Sequence, residues 1–345
     1  MIRIKARAPT RQGYVRRPLR RALALAVPTG WGALAVGTGL IVHVHRTLLH
    51  ELRQARRVAG AAQSVLLRPP PPRVGGLSVA AAQLSADRGA AMGGDLYEAV
   101  ATEHGVRVVM GDVRGHGLSA IGTVAAVLGS FREAAHDEPA LDQVLRRLDR
   151  TLARHLRERA RTEHPWSGLE PDTPVAEEFV TVLLLEFTHD GEIHALNCGH
   201  PWPYLLSGAR IEPLTRADPL PPLGLFPLPP DLPALHRGRL LPGETLVLYT
   251  DGAEDARDAR GRFFSLPTVL AEAAGGHSVT PQTILRKVFT ALLRHTNGTP
   301  TDDIALLVLR DDRPSRAWPT GAGAGGQATA FRGGAGGPAG LLRGS

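Results

Sequence analysis

Four aspartates stand where an apolar stretch gives way to a turn: Asp95 behind Gly93-Gly94, Asp112 behind Gly111, Asp251 ahead of Gly252, and Asp302 ahead of Asp303. If they converge, two bare carboxylates about 4 Å apart repel by roughly 4 kcal/mol at an effective dielectric of 20. A divalent cation removes that cost. An all-oxygen set without a Cys/His cluster favours Mg²⁺ or Mn²⁺ over zinc. Two such ions would acidify a shared water and neutralise charge building on a phosphoryl group. Separate Asx-turns or helix caps explain any one of these aspartates well and all four together badly.

The elements that must position them follow from the hydrophobic pattern. Asp112 closes an apolar run at Val106 to Met110, and Val113-Arg-Gly-His-Gly117 then opens a long Ala/Val/Leu segment, so a strand, a turn and a helix meet at one carboxylate. Gly115 and Gly117 permit backbone conformations that a Cβ would obstruct. Further strands are expected at Leu77 to Leu84, from Gly93-Gly-Asp-Leu-Tyr97 onward, at Phe179 to Phe187, Thr245 to Tyr249 and Ile304 to Leu309. Glu192 to Leu196 and Trp202 to Leu206 are expected to form a strand pair flanking Asn197-Cys-Gly-His-Pro201. Helices are expected at Leu118 to Ala135, Ala140 to Arg159, Pro267 to Ala274 and Pro281 to His295, with a polar surface loop at Arg161 to Glu177. Residues 213 to 233 are proline-heavy and should lack regular structure.

The net charge of +7 is not evenly spread. Residues 1 to 73 hold 14 Lys+Arg and one acid, Glu51, about +13, so the remainder carries the difference, about −6. The basic excess belongs to the N-terminal arm and the body is acidic, so a DNA-reading core is not expected and no nucleic-acid partner is assigned. The single cysteine, Cys198, excludes an intrachain disulfide framework and a multi-thiolate zinc site.

After the basic arm of residues 1 to 21, Ala22 to Val44 is 23 residues without a charged side chain, about the length of a membrane span. We expect a transmembrane helix over 22–45 rather than a signal peptide, because no small-x-small cleavage site clearly follows. Arginines crowd both flanks, so the positive-inside rule does not choose the side. The apolar stripe between Thr47 and Leu67 fits a connector helix that could pair two chains as a homodimer, ending at Pro69 to Pro72. The main domain is expected over 74–310. The Gly/Ala-rich stretch over 311–345 is expected to be a disordered tail.

In order, Gly93-Gly-Asp-Leu-Tyr97, Gly111-Asp-Val-Arg-Gly-His-Gly117, Phe179-Val-Thr-Val182, Asn197-Cys-Gly-His-Pro201, Tyr249-Thr-Asp-Gly252 with Glu254, and Thr301-Asp-Asp-Ile304 resemble the metal-dependent PP2C-type (PPM) serine/threonine phosphatases of the bacterial SpoIIE/RsbU branch. The resemblance covers about residues 74 to 310. It implies an α+β fold, a four-layer α-β-β-α sandwich of two antiparallel sheets, with two Mn²⁺ or Mg²⁺ ions at one edge. Asp112 would bridge the ions and the Val113 carbonyl would contact one of them. Asp251 and Asp302 would hold the second ion, and Asp95 would bind or orient water on the first. The catalytic group would comprise Asp112, Asp251 and His116, with a hydroxide shared by the metals as nucleophile and no phosphoenzyme.

The resemblance also implies a phosphoserine or phosphothreonine substrate on a regulatory protein of the STAS anti-sigma-antagonist type, and hence a catalytic domain on the cytoplasmic side of the cell membrane. Three positions depart from the family pattern: Glu98 where Asp is frequent, Cys198 where Ala is usual, and Arg114 nearest the place of the general-acid histidine. His200 is expected to be structural and Asp303 to orient Asp302. A catalytically silent scaffold on the same fold is the alternative in another class. A GGDEF-type cyclase leaves three aspartate motifs unexplained.

Overall fold

Apolar runs with no polar alternation must be covered on both faces, and the two strands that meet this condition most fully lie at the centre of one sheet. In a computed structural model that describes residues 43–47, 50, 66–84, 93–115, 118–163, 178–232, 235–275 and 279–313, these strands are β10 (Thr245–Tyr249) and β11 (Ile304–Asp311). Their neighbours are β1 (Arg73–Val74), β2 (Leu77–Leu84), β7 (Tyr204–Ser207) and β8 (Arg210–Pro213), in the order β1-β2-β11-β10-β7-β8. A second sheet runs β3 (Asp95–Thr102), β4 (Gly105–Val113), β5 (Val180–Phe187), β6 (Glu192–Cys198) and β9 (Leu235–Arg239). Every pairing between these strands is antiparallel.

Side-chain alternation separates the layers. On β11, Ala305, Leu307 and Leu309 join the core shared with the other sheet, while Ile304, Leu306 and Val308 face a second cluster with Ile284, Val288 and Leu292. Helices α1 (Leu118–Asp137) and α2 (Leu141–Glu163) bury Val124, Leu128, Leu145 and Leu148 in the first core, over the five-stranded sheet. A four-residue helix, α3 (Gly252–Asp255), follows β10. Helices α4 (Leu266–Ala274) and α5 (Pro281–His295) cover the other sheet. The start of α5 is encoded locally: the Thr280 side chain accepts from the Thr283 amide and Pro281 occupies the first turn. Helix, sheet, sheet and helix layers thus match the expected sandwich.

Several expectations are corrected. The strands around Asn197-Cys-Gly-His-Pro201 do not pair: β6 belongs to one sheet and β7 to the other, so this segment crosses between layers. The two-residue strand β1 and the four-residue helix α3 are too short for periodicity to detect, and β8 and β9 carry too many polar residues to register as strands. The domain extends past 310, because β11 continues to Asp311, which is buried and paired with Arg313. The span expected over 22–45 lies outside the described residues except for 43–45, which are helical. Among the described residues no helix is long and apolar enough to cross a membrane. Residues 161–163, expected to begin the polar loop, instead complete α2, while the remainder of that loop over 164–177, most of the connector helix and the tail beyond 313 lie outside the described residues.

Candidate active site

The sandwich brings the strand-end carboxylates together. Asp95 on β3 sits directly across from Asp112 on β4. Asp251 ends the turn after β10, and Asp302 and Asp303 lead into β11, the antiparallel partner of β10. The pairing therefore delivers two carboxylates from each sheet to one edge, and Asp303 adds a fifth.

Their charges are felt mutually. Burial pushes the Asp95 carboxyl well above the usual carboxylate range, and Asp112, Asp303 and Asp302 push it further. Asp112 is raised to about 7 by burial and by the charges of Asp251, Asp302 and Asp303. Asp251 is raised by burial, then by Asp302 and Asp255. Carboxyls elevated by one another are the signature of a site short of positive charge.

Close backbone approach gives the cluster its shape. Val113 donates its amide to the Gly94 carbonyl at 3.0 Å. A Cβ on Gly94 would be driven into the Val113 carbonyl oxygen and lie 2.7 Å from Asp112 Oδ1. Likewise, Gly93 faces the Asp303 carboxylate, where a Cβ would be 2.7 Å from its Cγ. Gly94→Ala should therefore cost about 1–3 kcal/mol of stability and displace Val113 O from the carboxylates. Thermal melts and metal titration of the variant would check both effects.

Hydroxyls fix the carboxylates from behind. Thr250 donates from Oγ1 to Asp95 Oδ2 at 3.3 Å and accepts the Ala305 amide at 2.9 Å. The Asp112 amide donates to Thr181 Oγ1 at 3.1 Å, and Thr181 Oγ1 lies 3.0 Å from His200 Nδ1. Burial pushes His200 down to about 3, so the ring is neutral and can accept the threonine proton. Asn197 brackets His200, accepting its amide and donating to its carbonyl, both at 2.8 Å. This network is what the Asn197 to Pro201 crossover supplies, and its path to Asp112 through Thr181 was not evident from composition or spacing.

Of the residues expected at the site, Asp95, Asp112, Val113, Asp251 and Asp302 converge, and His116 lies outside the described residues. Asp303 does more than orient its neighbour: its amide donates to Asp302 Oδ1 at 2.8 Å, while its own charge acts on Asp95 and Asp112. Arg114 is exposed, with its guanidinium carbon 5.1 Å from the centre of the Phe179 ring. Glu98 is engaged elsewhere, in an ion pair with Arg132 at 2.8 Å. The buried Cys198 thiol is pushed up to about 12 by burial, which leaves it protonated and unreactive.

Comparison with known proteins gives the family and the fold. The family of Stage II sporulation protein E (SpoIIE) matches residues 102–312, more than half of the chain. The fold is similar to that of the RsbU and RsbW domains of Rv1364c from Mycobacterium tuberculosis, at 24% identity and a TM-score of 0.53 over 72% of this chain and 62% of that one. It is also similar to the PP2C phosphatase domain and regulatory fragment of SpoIIE from Bacillus subtilis, at 16% identity and a TM-score of 0.52 over 69% of this chain and 63% of that one. The SiaA-PP2C domain of Pseudomonas aeruginosa, at 16% identity and a TM-score of 0.54, is matched over 98% of its length and 78% of this chain. The chain thus spans less than two thirds of the first two structures. At these identities the likeness is one of fold.

Proposed function

The chain belongs to the SpoIIE family of PP2C-type serine/threonine phosphatases, and on that premise we propose that it hydrolyses phosphoserine or phosphothreonine on a regulatory protein with the help of two Mn²⁺ or Mg²⁺ ions. The observation that carries this reading is the delivery of Asp95, Asp112, Asp251 and Asp302 to one edge of the two sheets by their strand pairing, where burial and neighbouring carboxylates raise Asp95, Asp112 and Asp251. The donor set is all oxygen and includes the Val113 carbonyl held beside Asp112, which suits a hard divalent cation.

In this reading Asp112, Asp251, Asp302 and the Val113 carbonyl would hold the ions, and Asp95 would hold one directly or orient water on it. When bound, the ions supply an acidified water and positive charge against the phosphoryl oxygens. The chain's own residues do the positioning. Thr250 holds Asp95, and Thr181 holds the Asp112 backbone. Protonation of the leaving alkoxide is assigned to His116, two residues beyond Arg114.

The substrate class is proposed by analogy with partner-switching systems: a phosphorylated STAS-type protein. We further assign residues 22–45 to a membrane anchor, the connector helix to homodimer formation and the catalytic domain to the cytoplasm. Protease accessibility in intact and opened cells would reverse the last assignment if the core were cleaved in intact cells. A silent scaffold has no observation in its favour, since all four aspartates are in place.

Removal of metal is the direct test. Full-length protein stripped with EDTA should lose hydrolysis of a generic phosphate ester and regain it with Mn²⁺ or Mg²⁺. Activity that persists without metal would overturn the mechanism. Failure on every phosphorylated STAS protein of the cell, with the generic ester still cleaved, would overturn only the substrate.

A further inference from the structure

A row of titratable side chains crosses the five-stranded sheet well away from the aspartates. Arg107 on β4, Glu186 on β5, His194 on β6 and His236 on β9 stand directly opposite one another in successive strands. Glu192, two residues before His194, shares its face of β6. Its partner is Arg239, so three steps along β9 oppose two along β6. Gly238, at φ 84, lies within that bulge. Arg107 and Asp112 are five residues apart on one strand, roughly 17 Å at 3.4 Å per residue.

We propose that Glu192, His194 and His236 form a second metal site, for Zn²⁺, that ties the edge strand β9 to β6. One ligand atom from each of the three falls within 4.8 Å of the others. Glu192 Oε2 lies 3.4 Å from His236 Nε2 and 3.9 Å from His194 Nε2. Metal–ligand bonds of 2.0–2.1 Å in a tetrahedron place ligand atoms roughly 3.3 Å apart. The Glu192–His236 pair already has that spacing, and His236, with 55% of its side chain exposed, is free to close the rest.

The outer partner is also present. Glu186 Oε1 lies 3.5 Å from His194 Nδ1, while Glu186 Oε2 accepts from Arg107 Nε at 2.6 Å. Arg107 fixes the Glu186 carboxylate beside the His194 ring, on its Nδ1 side. Nε2, 3.9 Å from Glu192 Oε2, is then the ring atom left to bind metal, and Glu186 behind Nδ1 would complete the carboxylate–histidine–metal arrangement that raises ligand basicity. Two imidazoles and one carboxylate with an open fourth position suit zinc, whereas the hard cations of the aspartate cluster have little preference for this site. Among the described residues β9 is the edge strand of its sheet, next to β6, so the ion would fasten that margin.

The test uses tag-free full-length protein, stripped of metal and returned to millimolar Mg²⁺ so that the aspartate cluster is filled. Equilibrium dialysis should show one Zn²⁺ bound per chain and a higher melting temperature with zinc. His236→Ala should weaken zinc binding at least tenfold and abolish the melting shift, with phosphate-ester hydrolysis unchanged. Asp112→Asn should retain the zinc. Absence of saturable zinc in the wild type, equal binding by His236→Ala, or loss of the zinc in Asp112→Asn would each overturn the site. Its failure would leave the phosphatase reading untouched, because the two use separate residues.

Discussion

Asp112→Asn should nearly abolish hydrolysis and, in the same protein, make the metal-free fold more stable. The loss of activity follows from the position of the side chain among Asp95, Asp251 and Asp302. Removing an outer-shell partner of a metal ligand costs roughly 10–100-fold, and removing a side chain proposed as a ligand itself should exceed that. The gain in stability follows from the same charges acting without metal. A carboxyl raised to about 7 in the fold, against an ordinary 3.8, binds more protons folded than unfolded between those two values. Stability of the metal-free wild type should therefore fall as pH rises from about 4 to about 7. Asparagine carries no such charge, so the variant should lack this contribution to the slope. Thermal melts in EDTA across that range, beside Mn²⁺-dependent assays, measure both effects. A fully active variant would remove Asp112 from the mechanism, and a less stable one would assign it to the framework.

Arg107→Met should destabilise the protein by about 3–5 kcal/mol. The side chain is fully buried and pairs with Glu186 at 2.6 Å. It also donates to the carbonyls of Ala135 and Pro139, each at 3.0 Å, and to that of Glu138, fastening the C-terminal end of α1 to the middle of β4. Methionine fills similar volume but leaves the Glu186 charge without its partner and three carbonyls without a donor. Adding Glu186→Leu should recover part of the loss, because the uncompensated charge is then gone. Denaturant unfolding of the two single variants and the double variant gives the coupling directly. A cost below about 1 kcal/mol for the single change would mean that water reaches Glu186 when the arginine is absent.

Much of the fold was legible because its central strands are long apolar runs and its helices carry local signals. Leu77–Leu84, Thr245–Tyr249 and Pro281–His295 have the boundaries that their periodicity and caps indicate. Where periodicity was short or the decision depended on partners, it failed. The Trp202 to Leu206 segment has strand character, but nothing local says that β7 pairs with β10 rather than β6. The edge strand β9 is too short and too polar to register as a strand.

The site divides in the same way. The residue types and the order of the motifs singled out Asp95, Asp112, Asp251 and Asp302, which the fold brings to one edge, because a carboxylate at a strand end is a local feature. Residues that act through another strand were not legible. Thr181 reaches Asp112 only because β4 and β5 pair in that register, and Asp303 enters the cluster only because Gly93 lacks a side chain. Glu186, His194 and His236 are scattered over fifty residues of chain and meet only across two strand pairings. The sequence by itself determined the chemistry available, since ligand type and strand-end placement are written along the chain. Tertiary structure alone decided which charges share an edge, because strand register and the crossover between sheets are set by the whole core and by no single segment.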